Sequence, residues 1–377
     1  MHGKFEKRKP KKAKKGGKVV LIVLIVIVVL VLGLVAGGVI YYHSLLNKIN
    51  HVEVPKVVYT EAATEPVEKP QQTVPGATEA VVTETTEPPT QPHVASRDDY
   101  INILVVGQAA REGEAERFAD TMMLFTINTY EKSVTMTSFL RDTLVQQSVE
   151  WNGHYFGGTK LTSIYHMGSF YGGNGAASSM ELMNLTLYKN FGVEVDYNFE
   201  IDFDAFVHII DELGGVDIDL TEAEAEYLNA DDFWVYEDVE PGPNTLNGMT
   251  ALSFARMRKD SEANDSDIVR TSRQRRLVES VIAKLKTQGP GFIQYVANEV
   301  FPMITTSMTN SEITNLMMTL LPMLTELTIG EGGTCPAESW GDYADIYGDG
   351  MQHSILRFDE GKTKAYMRER TLGETAN

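Results

Sequence analysis

The sequence predicts an α/β domain, a central sheet sandwiched by helices, carried on a single transmembrane helix. Three observations predict it. Short apolar runs at 101–106, 121–128 and 134–139 read as strands. Helically spaced segments alternate with further strands through the rest of the chain. Ahead of both lies an uncharged run of 24 residues, Val19–Tyr42.

The chain starts with a basic tail. Residues 1–18 carry nine Lys and Arg against one acid, Glu6, although the whole protein has a net charge of −19. The body is therefore strongly acidic, which excludes general nucleic-acid binding, since that needs a basic footprint. Residues 19–42 are long enough to cross a bilayer core of roughly 30 Å as a helix and too long for the apolar part of a cleaved signal. The basic tail places the N-terminus in the cytoplasm and everything after Tyr42 outside. Residues 43–97 form a stalk and a linker, with Thr, Glu and Pro concentrated between Val57 and Pro92. Such a composition buries too little apolar surface to fold and spaces the domain from the lipid bilayer. Cys335 is the only cysteine, so no intrachain disulfide forms and no zinc spacing exists.

The folded domain spans 98–377. After the three strands comes a Gly-rich loop, Trp151–Gly158, and then Lys160-Leu161-Thr162. A helix is expected at Ala176–Asn190, stopped by Gly192, and a strand at Val195–Phe203. Asp204–Leu213 reads as a helix closed by Gly214-Gly215, and Val216–Leu220 as a strand. Asp231–Pro243 is an acidic, aromatic loop. Helices are expected at Asn247–Ala255 and Asp267–Gln288, with the polar Ser261–Asp267 between them. Met-rich helices near Phe292–Met303 and Ser311–Leu327 precede a strand and a closing helix in His353–Thr371. Those Met-rich helices are either core or the wall of an apolar tunnel for a lipid chain.

Polar groups at the ends of buried strands are where open α/β sheets place their chemistry. Asp120 starts the second strand and Arg141 follows the third. Arg256 and Arg258 share a face if their segment is extended, and Arg270 and Gln274 share a helix face. Converging guanidinium groups suit a diphosphate. The competing possibility is that these arginines pair with the acidic domain's own carboxylates. Asp120 is either a turn residue or a magnesium ligand, and Asp142 and Asp267 are the other acids near the arginines. There is no GxSxG and no GxxxxGK[ST]. His154, His166 and His208 form no pair at ligand spacing.

Taken together, DTMMLFTIN at 120–128, SFLRDT at 138–143, KLTSIY at 160–165 and YNFEIDFDAFVHIIDELGGVDIDL at 197–220 resemble the LytR–CpsA–Psr proteins of Gram-positive envelopes. LNGMTALSFARMRKDS at 246–261 and RTSRQRR at 270–276 extend the resemblance. It implies a membrane-anchored phosphotransferase that moves a glycopolymer from an undecaprenyl-diphosphate carrier to peptidoglycan through a phosphodiester bond. It also implies that Asp120 binds Mg²⁺, that Arg141, Arg256, Arg258, Arg270 and Gln274 grip the diphosphate, and that Asp267 is another acid of the site. Asp120, Arg141 and Asp267 are thereby the catalytic candidates.

The chain departs from the family pattern twice. Ala109 stands where the first loop usually carries an Asp, with Glu112, Glu114 and Glu116 nearby. Phe118 replaces an arginine two residues before Asp120, and Arg117 adjoins it. The first departure keeps a second reading open: an extracellular polyprenyl-diphosphate-binding protein that transfers poorly or not at all. A lipid pyrophosphatase is a third.

Overall fold

A computed structural model of the chain describes residues 41–57, 59, 96–108, 117–230, 238–257, 267–285, 298–323, 326–337, 340–347 and 352–373. The chain divides into two compact units, Met1–Lys48 and Ile49–Asn377. Of the first unit, only residues 41–48 are described, and 41–46 are helical. The expected transmembrane run lies outside the described residues apart from Tyr41 and Tyr42. Among the described residues no helix is long and apolar enough to cross a membrane. The rest of this account concerns the second unit.

Its strands, in chain order, are β1 (Asn50–His51), β2 (Tyr100–Gln108), β3 (Ala119–Asn128), β4 (Ser133–Phe139), β5 (Val149–Trp151), β6 (His154–Phe156), β7 (Tyr197–Ile201), β8 (Val216–Leu220), β9 (Gly242–Leu246), β10 (Thr305–Thr306), β11 (Thr328–Ile329), β12 (Gly333–Cys335), β13 (Gly341–Tyr347) and β14 (Gln352–Phe358). The helices are α1 (Leu161–Gly172), α2 (Gly175–Phe191), α3 (Phe203–Glu212), α4 (Glu222–Asn229), α5 (Gly248–Arg256), α6 (Asp267–Leu285), α7 (Asn310–Leu320) and α8 (Glu360–Leu372).

The main sheet runs β1-β10-β7-β2-β3-β4-β11, with β12 also on β4. Its centre is an antiparallel meander in which Leu104 faces Leu124 and Phe125 faces Met136. β7 lies parallel to β2, and β11 and β12 lie parallel to β4, so the sheet is mixed. The central strands are apolar on both sides because both faces are covered. Leu104, Val106, Met122 and Leu124 pack with α1 and α2 in one core. Ile103, Val105, Ile127 and Phe125 form the other, with Leu316 and Leu320 of α7. A third core unites the β8–β9 hairpin with α4, α5 and α6.

Local sequence sets most boundaries. Asp202 caps α3 by accepting from the Ala205 N–H at 2.8 Å, so β7 stops at Ile201 short of the expected Phe203. Asn247 caps α5 in the same way through Thr250, and Thr221 with Glu224 forms a capping box on α4. Gly192 ends α2 in the left-handed region at φ 71°.

Four expectations need correction. The loop expected at 151–158 is largely the β5–β6 hairpin, turned at Asn152-Gly153 with both φ positive. Arg256 is the last residue of α5 and not part of an extended segment. The helix expected at Ser311–Leu327 ends at Leu320, and Leu321–Met323 is a 3-10 turn around Pro322. Of Phe292–Met303, residues 292–297 are not described, and Phe301–Met303 is likewise 3-10.

Candidate functional site

Val105 of β2 and Met123 and Phe125 of β3 look away from α1 and α2, and past the register shift at Gly107/Gln108 Asp120 joins their face while Ala119 packs in the α1 core. Above them α3, α5 and α6 stand off the sheet and leave a cavity of about 410 Å³. Val105, Met123, Phe125, Phe206, Leu252 and Leu277 form apolar walls. Asp120, Thr121, Asp202, Arg256, Arg270 and Gln274 supply its polar groups. Long apolar walls with a few converging polar groups are how proteins hold an amphiphilic small molecule. Among the described residues α7 does not line it: it packs on the neighbouring part of the same sheet face, and Met317 and Met318 are exposed. The lipid-tunnel expectation therefore fails for α7, which closes directly onto the strands, while residues 292–297 of the other segment lie outside the described residues.

Each polar group has an identifiable support. Asp120 sits at the start of β3, where Arg141 Nη1 donates to its Oδ1 at 2.8 Å. Arg141 follows β4, and its Nε lies 3.7 Å from Asp267 and 3.9 Å from Asp142. Burial opposes the Arg141 charge, but Asp120, Asp142 and Asp267 outweigh it and hold the guanidinium still more firmly protonated. Lys160 Nζ donates to Asp142 at 2.9 Å and shares its charge.

Asp267 opens α6 and is fully engaged. Its Oδ2 accepts from the Arg141 backbone N–H at 2.9 Å, and its Oδ1 pairs with Arg270 one turn along. Burial raises its carboxyl above the usual range despite both arginines. Asp267 does not line the cavity; it fixes Arg141 and Arg270. Arg270 is 4% exposed, whereas Arg256 is exposed and lies 4.8 Å over the Phe203 ring. Gln274 Nε2 donates to the Ala255 carbonyl at 3.3 Å. Its Oε1 is buried with no hydrogen-bond partner among the described residues, a group that a ligand donor would satisfy.

Asp120, Arg141, Arg256, Arg270, Gln274 and Asp267 thus converge from four separate segments. Arg258, Ala109 and the three glutamates after it lie outside the described residues. For a metal, the structure offers Asp120. Among the described residues no group of three His, Cys, Asp or Glu side chains is poised to hold an ion, and Arg141 occupies the space between the three aspartates. One carboxylate fits Mg²⁺ only if substrate oxygens complete the shell, a mode this ion commonly adopts.

Sequence reasoning missed a second polar node on the α1 side. Glu200 on β7, 4% exposed, accepts through Oε1 from Gln108 Nε2 at 3.0 Å and Arg117 Nη1 at 2.7 Å. Its Oε2 accepts from Tyr165 O–H at 2.6 Å. Arg117 is therefore committed to Glu200 and does not reach the cavity in place of the arginine that Phe118 replaces. Phe118 itself stacks on His166 with centroids 4.9 Å apart. A third node, Glu224 between Arg273 and Arg276 at 2.9 and 2.7 Å, explains why only two of the cluster's arginines could turn elsewhere.

Over 187 residues the chain is 30% identical to polyisoprenyl-teichoic acid–peptidoglycan teichoic acid transferase TagU of Bacillus licheniformis, covering 49% of this chain and 52% of that protein. The chain spans about half the length of the curated relatives it matches. Among solved structures, TagT bound to LIIa-WTA superimposes with a TM-score of 0.54 at 22% identity, covering 76% of this chain and 98% of that one. The LytR-CPS2A-psr family protein YwtF (TagT) with bound octaprenyl pyrophosphate lipid gives 0.50 at 20% identity, with 75% and 98% covered. At such identities the likeness establishes the fold. The family model described as "LytR_cpsA_psr family" matches residues 60–329, most of the chain. The chain belongs to the LytR_cpsA_psr family.

Proposed function

We propose that this protein transfers a glycopolymer from a polyprenyl-diphosphate carrier, undecaprenyl diphosphate, to peptidoglycan. The observation that carries the reading is the cavity: apolar walls for an isoprenoid tail, with Arg256, Arg270 and Gln274 placed for its diphosphate. The names of the relatives support it, since TagU is a teichoic acid transferase and TagT is seen with an octaprenyl pyrophosphate lipid. Anchoring by residues 19–42, with the domain outside a Gram-positive-type membrane, would bring the cavity to such a carrier.

The chemistry follows from the residues. The acceptor hydroxyl oxygen bonds to the polymer-side phosphorus, the bond to the lipid phosphate breaks, and the hydroxyl proton passes to a base. Arg256 and Arg270 neutralise the charge that grows on the departing lipid phosphate, and burial strengthens that attraction at Arg270. Asp120, oriented by the Arg141 hydrogen bond, is the base in this reading; Asp267 is not, because both its oxygens are occupied. Bound Mg²⁺ would add positive charge beside the diphosphate at Asp120.

The test uses the full chain in detergent with a polyprenyl-diphosphate oligosaccharide and soluble peptidoglycan fragments. Polyprenyl phosphate and polymer-linked peptidoglycan should form together in the parent and not in Asp120→Asn. Tight lipid binding with neither product would show a binding protein, and lipid phosphate without linked polymer a pyrophosphatase.

A further inference from the structure

Outside the cavity the most conspicuous surface is aromatic. Phe170, Tyr171 and Tyr155 are 71%, 46% and 73% exposed. Exposed apolar side chains scattered singly need no explanation, but the Phe170 and Tyr171 rings are in contact and Tyr155 lines the same groove as Tyr171. Phe118, two residues from Asp120, stacks on His166, and His166 lies 6.2 Å from Phe170 one turn along α1. Phe170 meets Tyr171 edge to face at 5.0 Å, and Tyr171 meets His154 at 4.8 Å and Phe156 at 5.4 Å. The β5–β6 hairpin and α1 also frame a shallow groove of about 170 Å³ lined by His154, Tyr155, Phe156, Gly157, Met167 and Tyr171. The rings therefore form one track from the edge of the Asp120 site to this groove.

We propose that the track from Phe118 through His166, Phe170 and Tyr171 to His154 and Tyr155 binds the uncharged sugar rings of the acceptor glycan strand. A pyranose ring has an apolar face of C–H bonds. Laid on an aromatic face it loses apolar surface to water and sets weakly positive hydrogens against the negative ring face. Charge chooses the occupant. Among the described residues the groove lining contains no Lys or Arg, and Glu150 lies beside Tyr155, so a phosphate-bearing donor polymer is disfavoured there.

Position chooses it too. The lipid cavity lies under the sheet face of Val105, Met123 and Phe125, whereas α1 packs on the opposite face with Leu104 and Met122. In phosphoryl transfer the attacking and leaving oxygens are roughly in line. A leaving lipid phosphate on the cavity side puts the attacking sugar hydroxyl on the α1 side. Phe118, where the family pattern has an arginine, is the first ring that such a sugar meets. The stacking follows from the rings alone; the assignment to the acceptor rests on the transfer reading above.

The experiment titrates the full chain in detergent with a soluble β-1,4-linked N-acetylglucosamine hexamer, and separately with polyglycerol phosphate and with a polyprenyl diphosphate. The parent should bind the hexamer, and Phe170→Ala and Tyr171→Ala should each weaken it by about 2- to 12-fold, the range a ring contact carries. Phe170→Tyr should restore it, and polyprenyl-diphosphate affinity should stay unchanged in all three. No hexamer binding by the parent, or binding indifferent to both alanine variants, would overturn the track. Tighter ring-dependent binding of polyglycerol phosphate would overturn the acceptor assignment. Hexamer binding without any polyprenyl-diphosphate binding would leave the track standing and remove the transfer reading instead.

Discussion

On β2 and β3 the side chains Leu104, Val106, Met122 and Leu124 are at most 1% exposed, whereas Val105, Met123 and Phe125 of the opposite face border a cavity of about 410 Å³. The two faces are equally apolar in sequence. The difference comes from the helices above them. α1 and α2 approach each other closely: a Cβ on Gly168 would lie 2.6 Å from Ser179 Cα, and Ala176, Ala177, Ser178 and Ser179 are all buried. Nothing holds this pair off the sheet, so the face closes. α5 and α6 instead close a core of their own with α4 and the β8–β9 hairpin. Having buried Phe254 and Leu277 there, they gain less by collapsing onto the strands. A binding cavity arises between two cores that are each complete.

The sharpest way to break this contrast is to cut into the closed face. Leu124→Ala removes a side chain with no exposure and should cost about 2–5 kcal/mol by chemical denaturation, with polyprenyl-diphosphate affinity unaltered per folded molecule. A cost under about 1 kcal/mol would mean that this face is no better packed than the other. The open face should respond in the opposite sense. Arg256→Ala should weaken polyprenyl-diphosphate binding by about 1.5–3 kcal/mol while leaving stability within about 0.5 kcal/mol, since Arg256 is exposed. Lys should substitute poorly for want of a forked donor, and calorimetric titration of the three proteins decides it. Filling the cavity is a smaller change: Val281→Phe should stabilise by about 0.5–2 kcal/mol and exclude long isoprenoid tails while still admitting short ones. A loss of stability would show that the space is already closed in solution.

The smallest expected effect separates two buried carboxylates that serve α6. Burial works against the Glu224 charge, but hydrogen bonds from Arg276 and Arg273 prevail and hold its carboxyl below the ordinary 4.5. A lowered folded value stabilises at pH above 4.5, and that contribution is lost as pH falls through the folded value. Burial prevails at Asp267, whose carboxyl is raised above 3.8. Its contribution is present below pH 3.8 and lost as pH rises through the folded value. Melting temperatures across acid pH should therefore diverge in opposite directions. The parent's advantage over Glu224→Gln should shrink as pH drops below 4.5, and its standing relative to Asp267→Asn should fall as pH climbs from 3.8. Parallel curves for parent and variants would refute the contrast.

What was legible in the sequence was local. The meander, α2, β8 and the stop at Gly192 all depend on neighbours a few residues apart, and they fall where periodicity and capping chemistry place them. The helix α1 was missed because Gly168 and Gly172 weaken its helical signal, and they are tolerated only because α2 and Trp151 lie against them. The Asn152-Gly153 turn was available as a hairpin signal and was read only as a loop.

By itself, then, the sequence determined the strands and most helices of this protein, the sign of its charge, the family it resembles and the residue types at its candidate site. The tertiary structure decided which of those residues meet. Asp120, Arg141, Arg256 and Arg270 lie on separate elements, and spacing along a chain carries no information about distances between elements that pack only after folding. The structure also decided that Asp267 is enclosed by arginines, that Arg117 turns to Glu200, and that Phe118 begins a line of rings. Asp267 meets Arg270 by helix spacing alone, but Arg141 is 126 positions from Asp267 and Glu200 is 83 from Arg117, and only the packing of α1, α6 and β7 around one sheet brings these together.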